Sequence, residues 1–295
     1  MEAAVKVSLS VTNYSWPDGP VGIPARLADV ARAADAAGLD TLWVADHLLQ
    51  MDPTANVDEP MLEAYTTLGY LAAATSRVQL GTMVTWASIR PPALLVKAVT
   101  TLDVLSDGRA WLGIGAGYQG TEATMLGLPF EPTAERFARL EETLQIADQM
   151  WDGDATPFAG TNYRLERPLN QPPPRRRPRV LIGGTGERRT LPLVARYADA
   201  CNLHDVPDGG ATVARKIHVL ADACERIGRD ASEIEVTLST RLAPDERATQ
   251  FAERCLALGR EAVDHVVLVT SGPWRPADLD VVADAVAQLR TATTR

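Results

Sequence analysis

The feature that most constrains the fold is a regular alternation of short β-rich runs and amphipathic stretches along the whole chain. The runs with the length and composition of strands are Val5–Val11, Thr41–Ala45, Val78–Thr85, Ala110–Ile114, Val180–Gly183, Ala200–Leu203, Ile234–Ser239 and His265–Thr270. Helical periodicity fills the seven gaps and the C-terminal stretch. Eight such units in about 250 to 300 residues have the size of a closed barrel. We therefore predict an α/β fold, a (β/α)8 TIM barrel that forms one domain over residues 1–295, because a six-stranded doubly wound sheet leaves two units unexplained.

One segment, residues 151–178, breaks this alternation between the fourth helix and the fifth strand. It contains Pro172, Pro173, Pro174 and Pro178, which are incompatible with a helix or a central strand. We predict an irregular insertion that stays within the domain and folds over the mouth of the barrel.

The composition limits the partners of the protein. A formal net charge of −9 argues against nucleic acid or an anionic membrane, because both attract basic surfaces. The three cysteines form no C-x-x-C pair and the four histidines are dispersed, so neither a disulfide framework nor a metal site is expected. No leader or long apolar run is present, and we predict a cytoplasmic protein that acts on a small molecule.

A glycine pattern follows the fourth predicted strand. Gly115, Gly117 and Gly120 have the spacing G-x-G-x-x-G, which is typical of a dinucleotide-binding turn when it directly opens a helix in the first βαβ unit. Here the next sustained helix is predicted to begin near Thr133, after Gly127, Pro129 and Pro132. The pattern therefore does not indicate a Rossmann fold.

Four segments together resemble the bacterial luciferase-like monooxygenase superfamily, within it the branch that uses the deazaflavin coenzyme F420. They are TLWVADH (41–47), LGTMVTWASIRPPALLVKAVTTLDVLSDGR (80–109), LGIGAGYQGTE (112–122) and LIGGTGERRTLPLVARYADACN (181–202). The resemblance covers nearly the whole chain. It implies a luciferase-like barrel, F420 as cofactor with FMN as the alternative, and a homodimer.

Two residues end the second strand, where barrel enzymes place their chemistry, namely Asp46 and His47. A histidine titrates near neutrality and is able to exchange the proton that accompanies hydride transfer. The resemblance implies this catalytic role for His47, with Asp46 or Glu122 tuning it. The alternative is that Asp46 caps the following loop and His47 is an ordinary polar residue.

The third strand carries candidate cofactor-binding residues, Met83, Val84 and Thr85. The resemblance implies a bulge here, with a cis peptide bond between Met83 and Val84 that lies behind the central ring of the cofactor. The residue types alone favour a plain buried strand.

After the fourth strand, Gly115, Ala116 and Gly117 are predicted to let the backbone approach the cofactor closely, because glycine carries no Cβ. Tyr118 then reaches the pocket. The alternative is a solvated turn.

The loop after the fifth strand is the preferred site for the cofactor phosphate and consists of Gly183, Gly184, Thr185 and Gly186. Free backbone N–H groups at the start of a helix bind anions. The competing phosphate site is Ser271–Gly272 after the eighth strand. Arg90 is predicted to pair with a cofactor anion or with a structural carboxylate.

Residues that follow other strands are predicted to line the substrate side, where aromatic faces and a few polar groups bind small molecules. They are Asn13, Tyr14, Trp16, Trp86, Asn202 and His204. His218 lies in a helix and His265 begins the eighth strand, so neither is a strong candidate.

The leading function is therefore an F420-dependent oxidoreductase that transfers a hydride to or from a small organic substrate. An FMN-dependent monooxygenase is the first alternative, and a non-catalytic flavin-binding barrel is more distant. A Schiff-base aldolase needs a lysine at a strand end. Lys6 begins a strand, whereas Lys97 and Lys216 lie in helical stretches, so this chemistry is not expected.

Overall fold

The computed structural model describes residues 5–52 and 54–293. Its strands are β1 (Lys6–Val11), β2 (Thr41–Val44), β3 (Gln79–Thr82), β4 (Thr85–Trp86), β5 (Trp111–Gly115), β6 (Phe158–Ala159), β7 (Arg164–Leu165), β8 (Arg179–Gly183), β9 (Ala200–His204), β10 (Glu235–Thr240) and β11 (His265–Val269). Its α-helices are α1 (Ile23–Ala37), α2 (Ala64–Ala74), α3 (Pro92–Leu105), α4 (Gly120–Leu126), α5 (Thr133–Trp151), α6 (Thr190–Tyr197), α7 (Ala211–Glu225), α8 (Ala248–Arg260) and α9 (Pro276–Thr293). Within these residues, no helix combines the length and the apolar character needed to cross a membrane.

Nine strands form one parallel sheet in the order β3-β2-β1-β11-β10-β9-β8-β5-β4. A parallel bridge between Leu80 and Ala110 joins β3 to the residue before β5, so the two ends of the sheet meet. This arrangement confirms the predicted barrel. The predicted third strand is divided into β3 and β4, and the peptide bond between Met83 and Val84, at the division, is cis, as the family resemblance implied.

The interior of the barrel is filled by side chains from five strands, β2, β5, β8, β9 and β11. The buried cluster consists of Trp43, Trp111, Leu181, Ala200 and Val267. The rings of Trp43 and Trp111 meet edge to face with centroids 5.5 Å apart. Their volume requires a glycine beside them, because a Cβ at Gly81 would lie 2.7 Å from the Trp43 ring. The barrel is therefore a packed core rather than a channel.

The N-terminal end of the barrel is closed by a buried charge network around Glu235. Its carboxylate accepts hydrogen bonds from His265 Nδ1 at 2.6 Å, Lys6 Nζ at 2.8 Å and Arg179 at 3.0 Å. Burial alone would raise the pKa of Glu235, but these partners lower it far below its ordinary range. His265 is fully buried and also contacts Ser8. The prediction that His265 lies at the wrong end for catalysis is confirmed.

The insertion of residues 151–178 packs on the outside of the barrel, and the prediction that it folds over the mouth is wrong. The Asp103 side chain at the end of α3 accepts a hydrogen bond from the Arg175 amide at 2.6 Å, and Glu142 on α5 accepts one from the Tyr163 amide at 2.9 Å. The physical reason is topological, since a connection from helix to strand starts and ends away from the mouth. The insertion is also not wholly irregular, because β6 and β7 form a short antiparallel pair.

We predict that Gly113→Ala destabilises the barrel strongly. A Cβ at Gly113 would lie 1.7 Å from the carbonyl oxygen of Thr82 on the neighbouring strand. We expect the free energy of unfolding to fall by about 3 kcal/mol or more, measured by urea denaturation. The matched control is Gly69→Ala in α2, where the new methyl group meets open space. Because alanine favours helix, the control should gain about 0.5–1 kcal/mol, and equal effects of the two variants would contradict this account.

Candidate active site

The carboxyl ends of the strands bring most of the predicted site residues to one end of the barrel. His47 follows β2, Trp86 ends β4, Tyr118 follows β5 and Gly184 follows β8. Because all these strands are parallel, their carboxyl ends meet at the same face. The opposite face is closed by the Glu235 network. Two surface cavities, one on α9 and one beside Lys6, lie away from this mouth.

The central pair of the mouth is His47 and Glu122. Nδ1 of His47 lies 2.7 Å from a carboxylate oxygen of Glu122, and the second oxygen accepts the backbone N–H groups of Leu48 at 2.6 Å and Leu49 at 3.1 Å. The Glu122 side chain is 4% exposed and that of His47 is 21% exposed. The buried carboxylate therefore fixes the ring of His47 through Nδ1. Among the described residues Nε2 has no hydrogen-bond partner, so this nitrogen is free to exchange a proton.

The electrostatics of Glu122 favour its ionised form. Burial alone would raise the pKa of the carboxyl, but the hydrogen bond and the charge of His47, with the amides of Leu48 and Leu49, lower it overall. A carboxylate held in this way orients one imidazole tautomer and stabilises the imidazolium when it forms. The pair has the geometry of a general acid or base with its orienting group.

Asp46 has a different partner from the one that the sequence suggested. Its buried carboxylate forms a bidentate ion pair with Arg90, at 2.9 Å for the longer contact, and Arg90 also binds Glu63 at 2.7 Å. Arg90 therefore binds two carboxylates of the protein. Of its two predicted roles, this is the pairing with a structural carboxylate. No hydrogen bond joins Asp46 to His47 among the described residues, and only Glu122 is placed to tune the histidine.

A polar chain anchors the segment around Val84. The hydroxyl of Tyr65 lies 2.7 Å from that of Thr85, and Thr85 donates to Thr82 at 3.0 Å. The guanidinium of Arg90 covers the Tyr65 ring at 5.0 Å. The Thr85 side chain is thus fully buried and occupied by protein partners. Met83 and Val84 instead pack on the apolar cluster inside the barrel.

The glycines near the mouth make room for neighbouring side chains of the protein. A Cβ at Gly183 would lie 2.8 Å from the Val84 side chain, and one at Gly115 would lie 3.0 Å from it. A Cβ at Gly117 would lie 2.3 Å from the Trp86 ring. These positions lack side chains because Val84 and Trp86 fill the space. The prediction that these residues approach the cofactor closely stays a prediction, and Ala116 is partly buried beside them.

The turn after β5 also opens a helix sooner than predicted, since α4 begins at Gly120. The expectation that no prompt helix follows the glycines is therefore wrong. With only seven residues, α4 is too short to show periodicity in the sequence. It nevertheless carries Glu122 in its first turn and presents it to His47.

The loop after β8 has the free donors that an anion site needs. From Gly184 to Arg189, no backbone N–H group donates a hydrogen bond within the described part of the chain. Gly184 has a φ of +112°, and a Cβ at Gly186 would lie 2.9 Å from the hydroxyl of Thr190. Thr190 begins α6, and its hydroxyl lies beside the positions where Gly184 and Gly186 lack a Cβ. Sequence reasoning missed Thr190, although a hydroxyl at the start of a helix after a glycine turn is a usable signal.

The competing loop after β11 is occupied by the protein itself. The Gly272 amide donates to the Asp52 carboxylate at 3.4 Å, and the Thr270 hydroxyl bonds to the Gly272 carbonyl. A carboxylate at this point repels a phosphate. The geometry therefore favours the loop after β8.

The predicted substrate-side residues differ in their surroundings. Tyr14 is fully buried and its hydroxyl has no partner, and the indole N–H of Trp86 is likewise unpaired. Trp16 donates to the Trp274 carbonyl at 3.0 Å, and Asn202 accepts from Thr237 at 2.8 Å. His204 is exposed at the end of β9. In the described residues no cluster of three metal-ligating side chains occurs.

Comparisons with known proteins agree with these features. A family model described as luciferase-like monooxygenase matches residues 5–288. An F420-dependent glucose-6-phosphate dehydrogenase from Kineococcus radiotolerans is 33% identical over 240 residues, which cover 78% of this chain and 67% of that protein. An F420-dependent hydroxymycolic acid dehydrogenase from Mycobacterium tuberculosis is 28% identical over 212 residues, which cover 71% of this chain and 56% of that protein.

Among solved structures, an F420-dependent secondary alcohol dehydrogenase in complex with an F420-acetone adduct has a similar fold. Its TM-score is 0.83 at 17% sequence identity, covering 98% of this chain and 100% of that chain. At this identity the likeness supports the barrel fold.

We predict that Glu122→Gln destabilises the protein in a pH-dependent way. The lowered pKa means that the carboxylate stabilises the folded state above its ordinary pKa of 4.5, and that this contribution is lost as the pH falls through the lowered value. We expect a loss of about 1–3 kcal/mol at neutral pH, shrinking towards zero in acid, measured by urea denaturation. Glu225→Gln, at the exposed end of α7, is the matched control. If Glu122→Gln lowered the free energy of unfolding by the same amount at every pH, the stabilising role of the Glu122 carboxylate would be contradicted.

Proposed function

Because the chain belongs to the luciferase-like monooxygenase family, we propose that it is an F420-dependent oxidoreductase that transfers a hydride to or from a small organic substrate. The observation that carries the proposal is the His47–Glu122 pair at the mouth, with Nδ1 of His47 2.7 Å from the carboxylate. The two relatives described above are both named as F420-dependent dehydrogenases, which supports this cofactor.

The cofactor and the protein carry out different parts of the reaction. When bound, F420 supplies or accepts the hydride. His47 accepts the proton of a substrate hydroxyl at Nε2, or donates one to a carbonyl or another polarised double bond in the reverse direction. Glu122 holds the ring in place and stabilises its charged form. Asp46 fixes Arg90, and its predicted part in tuning His47 has no supporting contact among the described residues.

The residues at the mouth fit a cofactor with a flat ring and a phosphate. Met83 and Val84 pack on the cluster of buried tryptophans and would provide an apolar surface for the ring. Gly184, Thr185 and Gly186 supply free amides for the phosphate, and the hydroxyl of Thr190 adds a further donor.

The mouth also has groups for the substrate. The unpaired hydroxyl of Tyr14 and the indole of Trp86 are buried polar groups that a ligand would satisfy, which supports a binding site here. The homodimer and the cytoplasmic location stay predictions.

We predict that His47→Ala lowers turnover without lowering cofactor affinity. Loss of a general acid or base costs about 10²- to 10⁴-fold in kcat. The F420 affinity, measured by fluorescence quenching, should stay within about threefold, because the phosphate loop lies on other strands. His218→Ala is the matched control, since this side chain is exposed on α7 and pairs only with Asp222. An unchanged kcat in His47→Ala would refute the catalytic role.

We predict tighter binding of F420 than of FMN when the purified protein is titrated with each. The Thr190→Val variant keeps the shape of the side chain and removes its hydroxyl. We expect its F420 affinity to fall about tenfold, because one hydrogen bond to a charged group is lost. Thr101→Val on the outside of α3 is the control.

Two results would contradict these assignments. Tight binding of FMN alone would replace F420 as the cofactor. Wild-type affinity in Thr190→Val, together with weaker binding in a Gly272→Val variant, would move the phosphate to the loop after β11.

A further inference from the structure

Five exposed apolar side chains lie on the segments that carry or adjoin the His47–Glu122 pair. We define the apolar rim as Leu48, Tyr118, Met125, Leu126 and Phe130, with exposed fractions between 37% and 74%. They are five of the eleven large apolar residues that are exposed in the described chain. Single exposed apolar residues are ordinary, whereas a group of them next to a site marks a binding surface.

The rim is joined to the His47–Glu122 pair by direct contacts. The amide of Leu48 donates to Glu122 at 2.6 Å, and the ring of Tyr118 meets that of His47 edge to face at 6.0 Å. Met125 and Leu126 follow Glu122 by three and four residues in α4, so they lie on the same side of this helix.

Phe130 closes the rim on its far side. Its ring packs edge to face on Trp86 at 5.4 Å, and Arg136 covers the other part of the ring at 4.2 Å. The absence of a side chain at Gly120 leaves room for it, since a Cβ there would lie 3.0 Å from the ring. The apolar surface thus runs from His47 to Trp86.

Arg90 and the three lysines are engaged by other groups of the protein. Arg90 is held by Asp46 and Glu63. The lysines lie elsewhere and have partners: Lys6 is in the barrel floor, Lys97 contacts the Gln171 carbonyl and Lys216 binds Glu187. Each of these four cations would have to leave its present partner to bind a phosphate dianion beside His47.

We propose that the substrate is an alcohol or carbonyl compound with an extended apolar chain, which lies along the apolar rim while its polar end faces His47. This inference rests on the proposed function. In the oxidative direction the carbinol carbon gives its hydride to oxidised F420, the hydroxyl gives its proton to His47, and the carbonyl product forms. Removal of the chain from water along the rim supplies the binding free energy.

The test measures binding of 2-alkanones, from acetone to 2-decanone, to the F420-loaded protein by titration calorimetry. We expect affinity to rise about twofold with each added methylene, which is part of the gain for full burial. The double variant Met125→Ser/Leu126→Ser should flatten this dependence and leave the affinities for acetone and F420 unchanged. Leu105→Ser, at the far end of α3, is the matched control.

Several outcomes would overturn the inference. They are affinity that does not depend on chain length, an unaltered dependence in the double variant, and tighter binding of glucose 6-phosphate than of 2-decanone. A double variant that changes only from dimer to monomer would make the rim a subunit interface. If the protein does not bind F420, the proposed function is refuted instead. The 2-alkanone titrations are then carried out on the protein without cofactor, and they decide the substrate class.

Discussion

The packing of one side chain, that of Val84, determines the geometry of the mouth. It lies between β5 and β8, against Gly115 and Gly183, and a methyl group at either glycine would displace it. The same segment rests on the tryptophans that fill the barrel. The segment of Met83 and Val84, the turn that leads to Glu122 and the start of the loop after β8 therefore meet at the Val84 side chain. Interiors packed at this density transmit a small displacement to their neighbours.

The charges at the two ends of the barrel are arranged differently. At the N-terminal end, the carboxylate of Glu235 accepts hydrogen bonds from His265, Lys6 and Arg179. At the mouth, Glu122 uses its oxygens on His47 and on two amides, and Nε2 of the histidine stays free among the described residues. Buried carboxylates stabilise both ends, but only the mouth leaves a titratable atom available for chemistry.

The sequence predicted the strands well because parallel strands that are buried on both faces are short, apolar and regularly spaced. It named both Asp46 and Glu122 as partners of His47, but a pattern of residue types does not show which carboxylate reaches the ring across 75 residues. Helix α4 was missed because Gly127 and the following prolines signal a loop and seven residues show no period. The insertion was misplaced because its prolines exclude regular structure without indicating which surface it covers.

The residues that close the N-terminal end of the barrel also affect which substitutions the chain tolerates in evolution. Its ion network and the tryptophan layer maintain the fold at one end, while the loops that carry Tyr118 and Phe130 and the start of α6 at Thr190 lie at the other. Substitutions in those loops have little effect on the residues that stabilise the fold. A protein that keeps the residues of the N-terminal end is therefore able to evolve towards another substrate through a few substitutions at the mouth.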